Sequence, residues 1–113
     1  MKKVFLVPLL VTGVLVLHAQ KISTRFEKSK GTQTPAYPEI VEWWKKLDEA
    51  SGKVKMLTMG MTDAGYPLHL AVVANNGDYN FEQIRKNDKR IILVNNGIHP
   101  GEPDGIDASM LLA

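Results

Sequence analysis

The stretch RIILVNNGIHPGEPDGIDASMLLA, residues 90–113, decides the fold class that the sequence predicts. It begins with a β-branched apolar run over residues 90–95, which is typical of a buried strand. A loop rich in glycine and proline follows, and Pro103 can open a helix with apolar residues at helical spacing. A buried strand that leads through a loop into a helix is a unit of α/β domains. We therefore expect an α/β fold with a mixed sheet.

The region before this stretch is expected to begin with a helix. Residues 38–51 place apolar side chains at helical spacing, with Pro38 in the first turn and Gly52 after the end, which predicts an amphipathic surface helix. Trp44 is expected to be buried, and Trp43 is expected to be half covered. A sugar-stacking role for the tryptophans is the alternative.

A hairpin and a short helix are expected next. The runs KVKMLTMGMT and YPLHLAVVAN, residues 53–62 and 66–75, flank the turn-forming residues 63–65 and predict an antiparallel hairpin. The second strand is apolar on both sides, which favours a position covered on two faces. The methionines of the first strand are expected in the core. Residues 81–86 can form one or two helical turns.

Residues 1–19, MKKVFLVPLLVTGVLVLHA, have the layout of a secretory signal peptide, with a basic start and an apolar centre. The apolar run is shorter than the roughly 20 residues that span a bilayer, and it contains Pro8 and Gly13. We expect export to the periplasm or the extracellular space, with no stable membrane insertion after cleavage; an uncleaved anchor is the alternative. Residues 20–36 are polar and are expected to be a linker or an edge segment, with disorder as the alternative.

Composition argues against a nucleic-acid partner. The chain has 14 Lys and Arg against 12 Asp and Glu, and Lys2 and Lys3 belong to the signal segment, so the mature charge is balanced. The basic residues alternate with acids and form no basic stripe. There is no cysteine, so an exported chain must hold together without disulfides. The sequence indicates no particular oligomeric state.

His99 and Glu102, in the loop GIHPGEPDG, are the candidate metal ligands. Open α/β sheets collect ligands at the carboxyl ends of their strands, where this loop is expected. Imidazole nitrogen and carboxylate oxygen suit Zn²⁺, and a catalytic zinc site uses three protein ligands and a water. Pro100 and Pro103 narrow the free loop toward one shape, which reduces the ordering entropy lost on binding. Spacing alone leaves open that Glu102 is an ordinary acid at a helix N-terminus.

The other polar residues near the site are expected to be structural. His69 lies in the middle of a predicted strand, where a hydrogen-bonded sheet residue is expected rather than a ligand. Asp104 and Asp107 are expected to be acids at the helix start. Asn95 and Asn96 are expected to end a strand, with donation to a substrate as the alternative.

The segment VNNGIHPGEPDGIDASMLLA resembles the first zinc-ligand segment of the carboxypeptidase A-like metallopeptidases, in which His-x-x-Glu follows a strand. The pieces YPEIVEWWKKL and MGMTDAGYPLHLAVV resemble that family in the same order, so the likeness covers about residues 35–113. Two residues depart from the pattern. Tyr66 stands where the family's turn commonly has arginine. Gly101 stands where the carboxypeptidase A branch often has arginine, which suggests a bacterial-type relative.

The resemblance implies that residues 37–113 are the N-terminal part of a mixed-sheet α/β/α metallocarboxypeptidase-like domain, truncated before its end. It implies Zn²⁺ as cofactor, peptide substrates, and hydrolysis of C-terminal residues, with His99 and Glu102 as the first two ligands. The third histidine, the general-base glutamate and the arginine for the substrate carboxylate would lie downstream, so this chain alone is expected to be inactive. A deacylase of small N-acyl amino acids on the same fold and a non-catalytic extracellular binding module are the alternatives.

Overall fold

The computed structural model describes residues 22–99 and 101–113. The predicted signal segment, residues 1–19, lies outside them. The elements are α1 (Arg25–Lys28), α2 (Tyr37–Ala50), β1 (Val54–Met61), β2 (Pro67–Val73), α3 (Phe81–Lys86) and α4 (Asp104–Leu112). These residues thus form a small mixed α/β structure with one two-stranded sheet. In this part of the chain, no helix is both long and apolar enough to cross a bilayer.

The segment before α2 contains a short helix that its polar composition did not predict. The Thr24 hydroxyl accepts the Glu27 N–H at 3.1 Å, and the Glu27 carboxylate accepts the Thr24 N–H at 2.9 Å. This reciprocal pair is a capping box, and Thr24 is only 1% exposed. The Thr-x-x-Glu spacing was the sequence signal for α1.

The predicted amphipathic helix is confirmed as α2. The indole N–H of Trp43 donates to the Ile22 carbonyl at 2.9 Å, and the rings of Trp43 and Trp44 meet edge to face with centroids 5.0 Å apart. Both tryptophans are half-buried, so the prediction for Trp43 is confirmed and the prediction that Trp44 is buried is wrong. The backbone contact to Ile22 occupies the polar end of Trp43 and gives that side chain a packing role.

The predicted antiparallel hairpin is also confirmed, as β1 and β2. The Thr62 N–H donates to the Tyr66 carbonyl at 2.8 Å across the turn, and Gly65 has a φ of +77°. Glycine adopts this left-handed conformation without the steric cost of a Cβ atom. Met59 is an extra residue in β1, which makes a bulge in the register. The predicted short helix is confirmed as α3.

The prediction of a buried strand over residues 90–95 is wrong. These residues lie outside any helix or strand and are exposed, Ile92 to 83% and Leu93 to 77%. A strand forms when a neighbour pairs with its backbone groups, and the described sheet contains β1 and β2 alone. The prediction that β2 is covered on two faces is also wrong, because most of its residues are half-buried. Met59 and Met61 are exposed and do not lie in the core.

The described residues have a small core, to which α4 contributes one face. The buried residues are Thr24, Pro35, Val54, Ile84, Asp107 and Met110. Met110 lines a cleft together with Trp43 and Leu47 of α2. The helix that follows the candidate site therefore lies against the N-terminal half of the chain.

Candidate metal centre

His99 and Glu102 are the first and last residues of a tight turn. The Glu102 N–H donates to the His99 carbonyl at 3.4 Å, and Gly101 has a φ of +85°. Glycine adopts this positive φ without the steric cost of a Cβ atom, which is why it is common at the third position of tight turns. The sequence His-Pro-Gly-Glu therefore encodes a turn that brings its first and last residues to the same side.

The side chains of the two predicted ligands meet. His99 Nδ1 and Glu102 Oε2 lie 3.0 Å apart, within hydrogen-bond distance. Two ligand atoms about 2.1 Å from a zinc ion at the tetrahedral angle are about 3.4 Å apart. An increase of about 0.4 Å, within the reach of small side-chain rotations, would open the pair to that spacing. The donor types and their separation therefore fit two corners of a zinc site.

Both side chains are open to solvent. The His99 side chain is 64% exposed and the Glu102 side chain 70%. An exposed pair leaves room for a further ligand and for water on the metal. Within residues 22–99 and 101–113, no three His, Cys, Asp or Glu side chains are grouped to hold a metal ion. The described residues thus bring together two side chains of suitable type, where a catalytic zinc typically takes three protein ligands.

The position of Glu102 bears on the alternative that it is a helix-start acid. Pro103 is the N-cap of α4, and its carbonyl accepts the N–H groups of Ile106 and Asp107 at 2.9 and 3.0 Å. Glu102 precedes the cap and lies outside the helix, and its carboxylate contacts His99. The first-turn acids of α4 are Asp104 and Asp107. Glu102 is therefore a residue of the loop that contacts His99, and not a first-turn acid of α4.

The loop that carries the pair is fastened to α4 and not to a sheet edge. The Asn96 side-chain amide donates to the Ser109 hydroxyl, which in turn donates to the Gly105 carbonyl at 2.7 Å. Gly97 has a φ of +70°, and a Cβ atom on it would lie 2.9 Å from the Ile106 side chain. The expectation that the loop follows the carboxyl end of a strand is therefore wrong. Asn96 connects the loop to the helix, a role that its sequence position did not reveal.

His69 and Asp107 each form a hydrogen bond to a threonine side chain elsewhere in the chain. His69 lies on β2, as predicted, with Nδ1 3.2 Å from the Thr58 hydroxyl on β1. Asp107, expected to be an ordinary helix-start acid, is only 5% exposed and accepts a hydrogen bond from the Thr34 hydroxyl at 2.5 Å. It lies on the same face of α4 as Met110, three residues on, which turns toward the protein interior.

No protein-family model, curated protein or solved structure matches the chain. The likeness to carboxypeptidase A-like metallopeptidases therefore stays a prediction from the sequence motifs. The geometry of the His99–Glu102 turn is independent of that likeness, because it follows from the contacts of this chain alone.

Proposed function

We propose that the chain belongs to an exported zinc metallocarboxypeptidase and supplies two of its metal ligands, His99 and Glu102. The observation that carries the proposal is the 3.0 Å separation of His99 Nδ1 and Glu102 Oε2 in an exposed turn. The proposed fold is the N-terminal part of a mixed-sheet α/β/α metallocarboxypeptidase-like domain. The mixed α/β structure of the described residues is compatible with it.

The two residues have simple tasks in this proposal. Zinc, when bound, would polarise a peptide carbonyl and activate a water for attack on it. His99 would donate a lone pair from Nδ1, and Glu102 would add negative charge through Oε2. The turn holds both atoms on one side before the metal arrives, so little conformational entropy is lost on binding. The proposed reaction also requires a third metal ligand and a general base, and neither role is assigned to His99 or Glu102.

Metal titration tests the ligand assignment. Zinc affinity is measured by competition with a chromogenic chelator for the parent chain and for His99→Ala and Glu102→Ala. Changes in groups that only orient a ligand cost about 10- to 100-fold in metal affinity, so loss of a ligand is expected to cost at least that. His69→Ala is the matched control, because His69 bonds to Thr58 on the hairpin instead. Equal zinc affinity in His99→Ala and His69→Ala would refute the site.

Substrate tests separate the proposed activity from its rivals. A protein that carries the whole domain is expected to release the C-terminal residue of a peptide with a free carboxylate, and not of the same peptide amidated. Preferential hydrolysis of small N-acyl amino acids would favour the deacylase instead. Peptide binding without hydrolysis at saturating zinc would favour the non-catalytic module.

A further inference from the structure

Asp107 makes an unusual contact for a helix residue next to a candidate metal site. Its Oδ2 atom accepts a hydrogen bond from the Thr34 hydroxyl, a residue 73 positions earlier in the chain. Its Oδ1 atom is buried and has no hydrogen-bond partner among the described residues. A carboxylate is costly to bury, and a small apolar residue would fill the same position without that cost. The position therefore calls for an explanation other than packing.

Residues on both sides of Asp107 contact the chain just before His99. Asp107 is preceded in α4 by Ile106, whose side chain lies close against Gly97. Two residues after Asp107, Ser109 accepts the Asn96 side-chain amide. Asn96 and Gly97 lie three and two residues before His99, where the turn begins. Both contacts would change if α4 rotated about its own axis.

We propose that the Thr34–Asp107 hydrogen bond is a positioning contact. It fixes the rotation of α4 and thereby the orientation of the His99 and Glu102 side chains. The inference rests on the proposed zinc function and adds to it the residues that orient the ligand loop. Successive helix residues are about 100° apart around the axis, so a slip by one residue would carry Ile106 away from Gly97. Apolar contacts tolerate such rotation, whereas a hydrogen bond between two specific atoms does not.

The test removes the hydroxyl and keeps the shape. In the 113-residue chain, Thr34→Val is expected to weaken zinc binding by about 10-fold, the low end of the range for groups that orient a ligand. Thr34→Ser, which keeps the hydroxyl, is expected to restore binding to within about 2-fold of the parent. Thr32→Val is the matched control, because the Thr32 hydroxyl donates to the Ser29 carbonyl within its own turn at 2.8 Å.

A second readout needs no metal. NMR resonances of the Asn96 side-chain amide and of the Gly97 and Gly101 amides report the loop directly. They are expected to shift in Thr34→Val and to stay in place in Thr34→Ser and Thr32→Val. Equal zinc affinity in parent and His99→Ala would refute the proposed function, and the loop resonances alone would then decide the positioning contact. If the parent chain binds zinc through His99 but the loop resonances of Thr34→Val match those of Thr32→Val, the positioning contact is overturned. The proposed function would then still stand.

A substitution on the other partner keeps the inference testable if Thr34→Val does not fold. Asp107→Asn keeps an oxygen acceptor for Thr34 and removes the charge. Asp104→Asn removes the same charge from the exposed first turn of the same helix. Zinc affinities of the two variants within about 2-fold of each other are expected if the hydrogen bond is what matters. A loss in Asp107→Asn about 10-fold beyond that in Asp104→Asn would overturn it.

Discussion

The side-chain amide of Asn96 donates a hydrogen bond to the hydroxyl of Ser109, so the chain three residues before His99 is fastened to α4. At its other end the loop runs directly into the same helix, which Pro103 caps. A loop closed at both ends on one helix keeps its shape through that helix. The orientation of the proposed ligand side chains therefore depends on how the loop packs against α4.

Gly97→Ala is expected to disturb this packing and weaken zinc binding. Alanine at a φ of +70° carries backbone strain of about 1 kcal/mol or more, equivalent to about 5-fold in affinity. The new Cβ atom would also lie 2.9 Å from two atoms of Ile106, so the side chain or the loop must move. Zinc competition titration measures the effect, and we expect a loss of at least about 10-fold.

Gly101→Ala is the control for this substitution. Gly101 also has a positive φ, of +85°, but a Cβ atom there would meet nothing within 4 Å. It therefore carries the backbone strain without the clash, and its loss of affinity is expected to be smaller. A loss in Gly101→Ala that equals or exceeds the loss in Gly97→Ala would show that contact with Ile106 does not hold the loop.

Local sequence signals predicted most of the elements, because the interactions that form those elements join residues close together in sequence. The spacing of apolar residues gave α2, the turn composition gave the hairpin, and Pro103 gave the start of α4. The Thr-x-x-Glu box that starts α1 is equally local, but it lies in a polar segment without the apolar periodicity that predicts a helix. His-Pro-Gly-Glu likewise brings His99 and Glu102 together through a single turn.

Predictions that needed distant partners failed. A β-branched run over residues 90–95 has the composition of a strand, but the strand exists only if another strand pairs with it. Burial of Trp44 and Met59 failed for the same reason, since burial is supplied by other parts of the chain. The Thr34–Asp107 bond spans 73 residues, and nothing near Asp107 in sequence marks it as buried.

Gly77→Ala is expected to loosen the connection between the end of β2 and the start of β1. A Cβ atom at Gly77, where φ is +66°, would lie 2.7 Å from the Gly52 carbonyl oxygen, which also accepts the Tyr79 hydroxyl at 2.8 Å. Because the obstacle is backbone, the segment must shift as a whole. Hydrogen exchange of the Ala74 amide, which donates to the Lys53 carbonyl at 2.8 Å, is expected to speed up by about 5-fold or more.

The matched variant for that measurement is Gly65→Ala. Gly65 also has a positive φ, but it lies at the hairpin tip with open space around it. Its strain is expected to stay at the turn and to leave exchange at Ala74 within about 2-fold of the parent. Similar acceleration at Ala74 in both variants would mean that the whole hairpin loosens, and the specific contact with Gly52 would be refuted.

Acid is expected to weaken the contact between α2 and β1 at Asp48. The Met56 N–H donates to the Asp48 carboxylate at 3.1 Å and is the main cause that lowers the pKa of that group below its ordinary 3.8, with Lys55 adding a weaker contribution. A lowered folded-state pKa gives stabilisation that is complete above the ordinary value and is lost as the pH falls through the lowered one. The Met56 amide resonance is expected to hold steady from pH 7 to about 5 and to move on further acidification.

Asp48→Asn removes the titrating group and keeps an oxygen that can accept the Met56 N–H. The acid-induced movement of the Met56 resonance is expected to disappear in this variant. Asp63→Asn, at the exposed hairpin turn, is expected to leave it unchanged. An unaltered acid response in Asp48→Asn would place its origin elsewhere.

The segment Ile91, Ile92, Leu93 and Val94 is expected to limit the solubility of the chain. All four side chains are exposed, and the backbone groups beside them lack strand partners among the described residues, which favours pairing between chains. Leu93→Lys places a charge in the middle of the segment and is expected to raise the soluble concentration several-fold, measured by light scattering and by protein left in the supernatant. Because Leu93 is 77% exposed, the circular dichroism spectrum is expected to stay the same.

Leu112→Lys removes a single apolar side chain, 84% exposed, at the end of α4 and is the control. An equal gain from Leu112→Lys would mean that general surface hydrophobicity, and not strand-like pairing through residues 91–94, drives the association.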